Sequence, residues 1–336
     1  MFKQTIIFLY IRCNLILVFI YTLLNKMKIF YFRFYSLLVL FSIVISTQTL
    51  KAQGCSDAGV CSIGPMTHNN TMADDASNGE IRVKPTYSLG EKQTHIIGLQ
   101  LEADYNVNDK VYFQFVMPYI VSTGDLGTAA GLGDITLSLS VPVYKNDNVI
   151  ATVFGGTKIP LNDGNLSDNG KALPMAYQPS LGTFDALAGI AVNVNKFLFS
   201  AGYQHPLTQN NSTYVNPNQT AESKLLTTNG YERMPDLALR AEYKKTAESK
   251  DKWSWKAGLL GIYHIGEDSY VDPETNERIN IENSSGLTLN ITGGIVKTFD
   301  KYTIGSDLGF PVMAREARPD GLTRTVALSF WVGWKF

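Results

Sequence analysis

Cysteine, histidine and charge are all scarce in this chain of 336 residues. There are three cysteines and four histidines, and charged residues make up 18% of the whole. So few cysteines exclude a disulfide-dense scaffold and a multi-cysteine metal protein. The histidines are His68, His95, His205 and His264, and no Gly-x-Ser-x-Gly run accompanies them. That leaves no nucleophile-and-base pattern, so no enzyme is indicated, and no cofactor motif stands in the chain. A formal net charge of -1 removes the basic footprint expected of a nucleic-acid partner. Past residue 52 no apolar run approaches the roughly 20 residues of a membrane helix, so any span there must be made of strands.

What is abundant is alternation. The last residues, Thr323 to Phe336, place Val326, Leu328, Phe330, Val332, Trp334 and Phe336 on one face. Thr325, Ala327, Ser329, Gly333 and Lys335 take the other, together with Trp331. Strands that are apolar outside and small or polar inside, with aromatics at the rim, suit a wall between lipid and a lumen. A soluble sandwich would alternate in the same way. The terminal Trp334 and Phe336 would serve as an assembly signal read by the barrel assembly machinery. The same period recurs from Ile97 to Val107, Ile135 to Val143, Leu237 to Tyr243 and Leu287 to Ile291.

About twelve strands follow from this pattern, with fourteen as the alternative. They run roughly over 80–89, 94–107, 111–121, 133–144, 149–159, 182–194, 196–205, 234–245, 252–266, 286–299, 301–311 and 323–336. Alternate connections are tight and polar, such as Asn108-Asp109-Lys110 and Lys145 to Asn148. Apart from Gly90 to Gln93, the others are long: 122–132, 160–181, 206–233, 267–285 and 312–322. Short turns at one end and long loops at the other are what separate an outer-membrane antiparallel β-barrel from a sandwich. An even strand count puts both termini at the periplasmic end. The long loops, as in LNDGNLSDNG and QNNSTYVNPNQT, read as solvated surface segments.

Residues 1–52 read as a leader. A complete secretory signal begins at Met27: Lys28 and Arg33, then SLLVLFSIVIS, then Leu50-Lys51-Ala52 before Gln53. The earlier run Ile6 to Leu24 is then an upstream extension, or the first of two anchoring helices in the rival reading. Residues 53–78 follow, rich in Gly, Ser, Asn and Ala and without alternation, and 79–336 form the barrel. The 53–78 segment is either a periplasmic tail or a plug whose polar groups pair with Arg240, Lys256 and Lys335.

Three stretches carry a family resemblance. They are Gly131-Leu132-Gly133-Asp134-Ile135, then Gly155 to Gly164 (GGTKIPLNDG), then Pro179 to Asp185 (PSLGTFD). In this order they resemble the outer-membrane barrels grouped under the meta-pathway of phenol degradation, which are related in turn to fatty acid and aromatic hydrocarbon uptake channels. The Cys55–Cys61 element and the Gln53-Gly54 pair are similar to features of relatives from the Bacteroidetes. The resemblance implies passive passage of a small, often hydrophobic or aromatic solute through the outer membrane. A structural or adhesive surface barrel is the alternative, and an outer-membrane enzyme a more distant one. Under the channel reading the lumen candidates are Gln100, Glu102, Asp104, Asp185, Arg240, Glu242, Lys256, Asp307 and Lys335. Gly305 and Gly309 flank Asp307 on the inward face and would leave room beside it.

Once the leader is removed, Cys55 and Cys61 are the remaining pair. In an exported chain an even pair reads as a disulfide closing a small loop. A metal site with Asp57, Met66 and His68 is the alternative, but it matches no zinc spacing. Lipidation of Cys55 is a further alternative, although Ala52-Gln53-Gly54-Cys55 lacks the leucine of a lipobox. Non-reducing mass spectrometry should find the peptide holding both cysteines lighter by about two daltons than its reduced form. Two free thiols in protein from an oxidising compartment would contradict the disulfide.

Overall fold

The computed structural model describes residues 78–336, except 91–93, 109, 221, 222, 224, 248–252 and 321–325. The leader, the Cys55–Cys61 pair and all but the last residue of the 53–78 segment lie outside the described residues. Among the described residues seventeen strands occur in order. They are β1 (Gly79–Leu89), β2 (His95–Asn108), β3 (Val111–Gly124), β4 (Gly127–Leu132), β5 (Ile135–Lys145) and β6 (Val149–Ile159). Next come β7 (Ser167–Asp168), β8 (Lys171–Ala172), β9 (Asp185–Val194), β10 (Phe197–Pro206), β11 (Asp236–Lys245) and β12 (Trp253–His264). The last five are β13 (Ser269–Val271), β14 (Arg278–Asn280), β15 (Gly286–Thr298), β16 (Tyr302–Met313) and β17 (Val326–Lys335). No α-helix occurs among the described residues, only a 3-10 turn at Met175–Tyr177.

Twelve strands close a ring: β1, β2, β3, β5, β6, β9, β10, β11, β12, β15, β16 and β17, each antiparallel to the next. The seam is β1 against β17, in register from Glu80↔Lys335 to Leu89↔Val326. Closure continues beyond the strands, where Phe336 N donates to Gly79 O at 3.1 Å and Asn78 N to Phe336 O at 2.8 Å. β4 stands outside the ring. It folds back on the top of β3, from Gly124↔Gly127 to Tyr119↔Leu132. β5 then takes over lower on the same edge, from Val116↔Thr136. The small strands β7–β8 and β13–β14 lie within loops that the sequence pattern leaves irregular.

Alternation becomes sidedness in the ring. On β17 the side chains of Phe330, Val332 and Trp334 stand exposed, while Ala327, Ser329 and Lys335 are buried. Leu99, Leu139, Ile190, Leu239, Leu259 and Ile295 are likewise exposed on the other strands. Among the described residues no second sheet covers this face. Half-burying a dozen such side chains would be worth about 9–18 kcal/mol, which rivals the whole stability of a typical domain, about 5–15 kcal/mol. A water-facing wall of this kind is untenable, whereas in lipid the same face is at home. Aromatic pairs collect at the short-turn end: Tyr302–Trp334 at 4.9 Å between ring centroids, Tyr243–Trp255 at 5.3 Å and Tyr105–Phe336 at 6.3 Å. They form the girdle expected at a membrane interface. The chain is a multi-pass β-barrel of the outer membrane.

The tight turns follow from asparagine. Asn108 Oδ1 accepts from the backbone N–H of Lys110 and of Val111, both at 2.9 Å. Asn146 Oδ1 does the same for Asn148 (3.0 Å) and Val149 (2.7 Å). Asn195 sits at φ 53°, the left-handed region that asparagine tolerates. Purified mature protein should therefore require detergent and migrate faster on a gel when unheated than after boiling. A chain that stays soluble and monomeric without detergent would contradict the lipid-facing wall.

Candidate functional site

In the periplasmic half of the lumen, the inward residues of neighbouring strands form a chain of opposite charges. Pairing Arg82 with Glu102 and Glu80 with Asp104 places β1 and β2 side chains over one another. Arg82 then donates to three carboxylates: from Nη1 to Glu80 at 3.0 Å, from Nε to Glu102 at 2.8 Å, and from Nη2 to Asp104. Its guanidinium also lies 5.9 Å from the ring of Trp331. Lys84 Nζ approaches Glu102 at 3.6 Å and Asp307 at 3.1 Å, and Lys256 Nζ approaches the other Asp307 oxygen at 3.2 Å. On β11, Glu242 is flanked by Arg240 (3.5 Å) and Lys244 (3.6 Å). Arg82, Lys84, Arg240, Lys244 and Lys256 thus face Glu80, Glu102, Asp104, Glu242 and Asp307, and the formal charge of this belt cancels.

Of the residues singled out in the sequence, Glu102, Asp104, Arg240, Glu242, Lys256 and Asp307 lie in this belt. Gln100 is opposite Lys84 in register. Lys335 is at the periplasmic rim, its Nζ donating to Phe299 O at 3.5 Å. Asp185 belongs to a different cluster at the extracellular end. Arg82 and Lys84 were not singled out, although the alternation of Ile81-Arg82-Val83-Lys84 places both inward beside Glu80. The glycine expectation is corrected: Gly305 makes room for Trp331, whose ring carbons would lie 2.5 Å from an added Cβ. Beside Asp307, the close approach is to Gly294, where an added Cβ would lie 2.5 Å from Asp307 Oδ1.

The three family-like motifs, distant in sequence, meet at the extracellular end. Asp134 of the first accepts from Ser180 Oγ of the third, and from Leu181 N at 3.3 Å. Lys158 Nζ of the second motif stands 3.8 Å from Asp134. Asn162 Nδ2 donates to Leu132 O at 2.9 Å, and Ser180 Oγ to Asn162 O at 3.2 Å. Gly182 closes the knot at φ +68°, and a Cβ there would meet Asp163 O at 2.4 Å, so only glycine fits. These motifs therefore anchor the loop of residues 160–184.

That loop is one part of a cap. Met175 and Leu181 pack with Leu226 and Tyr231 of the 207–235 loop, Ile281 of the 265–285 loop, and Ala317 after β16. Tyr177, fully buried, joins Leu173, Leu225 and Ala129 of β4 in a second cluster. Loops rooted on opposite sides of a twelve-stranded ring can share a core only by crossing the mouth. This corrects the expectation of solvated loops in part: Asn210, Ser212 and Tyr214, from one of the polar stretches, are buried, while Gln209, Asn211 and Thr213 beside them are exposed.

Beneath the cap lies a buried ion cluster. Arg233 donates to Asp185, which also accepts from Gln204, and its Nη1 is 3.6 Å from Asp236. Both ring nitrogens of His264 meet carboxylates, Nδ1 to Asp236 at 2.7 Å and Nε2 to Asp268 at 2.8 Å. With an acceptor on each side both nitrogens must carry hydrogen, so the ring is cationic and has no lone pair for base catalysis. Tyr231 Oη donates to Asp268 at 2.8 Å, and Arg315 pairs with Asp320. Burial, and then the Asp268 carboxylate, hold the Tyr231 hydroxyl well above its usual range. Burial works against the charge of Arg233, but Asp185 and Asp236 outweigh it and keep the guanidinium firmly protonated. His95 and His205 are elsewhere, exposed beside Tyr87 (2.9 Å) and Tyr203 (3.3 Å).

No family model matches the chain, and no curated protein matches it. Solved structures do. The crystal structure of an outer membrane channel from Pseudomonas putida F1 aligns at a TM-score of 0.54 and 16% identity, over 80% of this chain and 98% of that one. The NanC porin aligns at 0.42 and 9% identity, over 76% and 98%. The translocator domain of the autotransporter NalP from Neisseria meningitidis aligns at 0.41 and 11%, over 79% and 90%. The first of these likenesses establishes a shared barrel fold.

Removing one member of a fully buried ion pair strands the other, at a cost of about 3–5 kcal/mol. Arg233→Met should therefore loosen the cap. Limited proteolysis of the folded barrel should cut within 160–184 and 207–235 faster than in the parent, while the strands stay protected. An unchanged cleavage pattern would show that the cluster does not hold the cap.

Proposed function

We propose that this barrel is a channel for passive passage of a small solute across the outer membrane, its mouth narrowed by its extracellular loops. The observation that carries this reading is the inner face. Inside a wall that is apolar toward lipid runs a connected row of charged groups from Asp104 through Arg82, Glu102, Lys84 and Asp307 to Lys256. A face of that chemistry is suited to a hydrated route. The fold shared with the P. putida channel supports the same reading.

The belt cancels its own charge, so it favours a solute that is neutral overall yet makes hydrogen bonds. A small aromatic carrying a hydroxyl fits both this and the resemblance to the phenol-degradation barrels. Trp334 and Phe336, whose rings stand on the outer face, act as the assembly signal.

Liposome swelling is the direct test. Vesicles holding the folded protein should swell with small neutral solutes, faster with hydroxylated aromatics than with sugars of similar size, and faster again once the cap is loosened. A folded, heat-modifiable protein that leaves vesicles impermeable to every solute would overturn the channel reading.

A further inference from the structure

Among the belt residues, those most open to a passing solute are few. Lys84 and Glu102 keep only 6% and 5% of their side-chain surface exposed, whereas Asp307 keeps 20% and Lys256 25%. Asp307 is also the point where the two sides of the belt join. One carboxylate oxygen faces Lys84 of β1 at 3.1 Å, and the other faces Lys256 of β12 at 3.2 Å. The β1 partner is reached across β17, and the β12 partner across β15.

Reaching Lys256 requires an empty position between them. In register, Lys256 pairs with Gly294 and Gly294 with Asp307, so the three lie in one row across β12, β15 and β16. A Cβ on Gly294 would come within 2.5 Å of Asp307 Oδ1 and 2.7 Å of Lys256 Cε. Both groups end flexible side chains, so a side chain at 294 would push them apart instead of breaking the wall. The glycine is what lets one carboxylate bridge two lysines.

We propose that Asp307 sets the charge selectivity of the lumen, by opposing the field of Lys84 and Lys256 at the most exposed part of the belt. This rests on the channel reading. With Asp307 in place, the belt as a whole carries no net formal charge, and a neutral solute passes without displacing an ion pair. Without it, Lys84 keeps only Glu102 and Lys256 loses its bridging carboxylate, the belt gains one net positive charge, and anions are favoured. Without Lys256, the carboxylate retains one partner and the balance moves toward cations. Selectivity in pores is commonly set by such charged side chains at the lining.

Reversal potentials of the full mature chain in planar bilayers under a KCl gradient test the idea. Asp307→Asn should raise the permeability of chloride relative to potassium by about threefold over the parent. Lys256→Met should shift the ratio the opposite way, and Gly294→Ala should shift it in the same direction as Asp307→Asn but less. Should Asp307→Asn fail to assemble, the opposite-signed shift of Lys256→Met still decides the matter. Conducting variants whose reversal potentials equal that of the parent would overturn the role of Asp307 while leaving the channel standing. Folded parent and variants that never conduct, with no solute flux, would overturn the channel reading and this inference with it.

Discussion

Closure of the sheet on itself is the constraint on which everything else depends. A backbone amide left unpaired in hydrocarbon costs several kcal/mol, so an open edge cannot be tolerated there. The β1–β17 seam removes that edge, and the terminal residues extend it by pairing Phe336 with Gly79 and Asn78. Once the ring is closed, each strand has one face in lipid and one in a confined interior. The period of two then decides the fate of every side chain.

Confinement explains the charge belt. Inward Glu, Asp, Arg and Lys are crowded together in a narrow interior, so they satisfy one another. Arg82 against three carboxylates and Asp307 between two lysines are two solutions to this same problem. Buried pairs of this kind add little net stability, but breaking one is expensive, so they fix geometry more than they add strength. The extracellular cap repeats the logic with loops in place of strands. Apolar groups such as Tyr177 and Leu226 drive the loops together, and the Arg233, His264 and Arg315 cluster fixes where they meet.

The strand plan was legible because period-two alternation is local and the turns carry their own chemistry. Asn108, Asn146 and Asn195 mark turns that the structure places where expected, and strand limits shift by only a few residues, as at Asp185 for an anticipated start at Gly182. The cap was not legible. Asn210 and Ser212 look like solvated loop residues, and their burial depends on partners tens of residues away with no shared period. The same limit hid the pairing of Asp307, which closely approaches Gly294 on the adjacent strand, while Gly305 makes room for Trp331. The family-like motifs were visible, but their convergence on Asp134 and Ser180 required the fold. For Arg82 and Lys84 the signal was present in the alternation of β1.

The central claim is that one face of each strand meets lipid and the other a polar lumen. It is tested most directly by single cysteines along β2, in a Cys55→Ser, Cys61→Ser background, each carrying an environment-sensitive fluorophore. Labels at Ile97, Leu99 and Leu101 should be quenched by spin-labelled lipid and shielded from aqueous iodide, whereas a label at Gln100 should escape the lipid quencher. Equal quenching of all four positions by iodide, with none by lipid, would contradict the account.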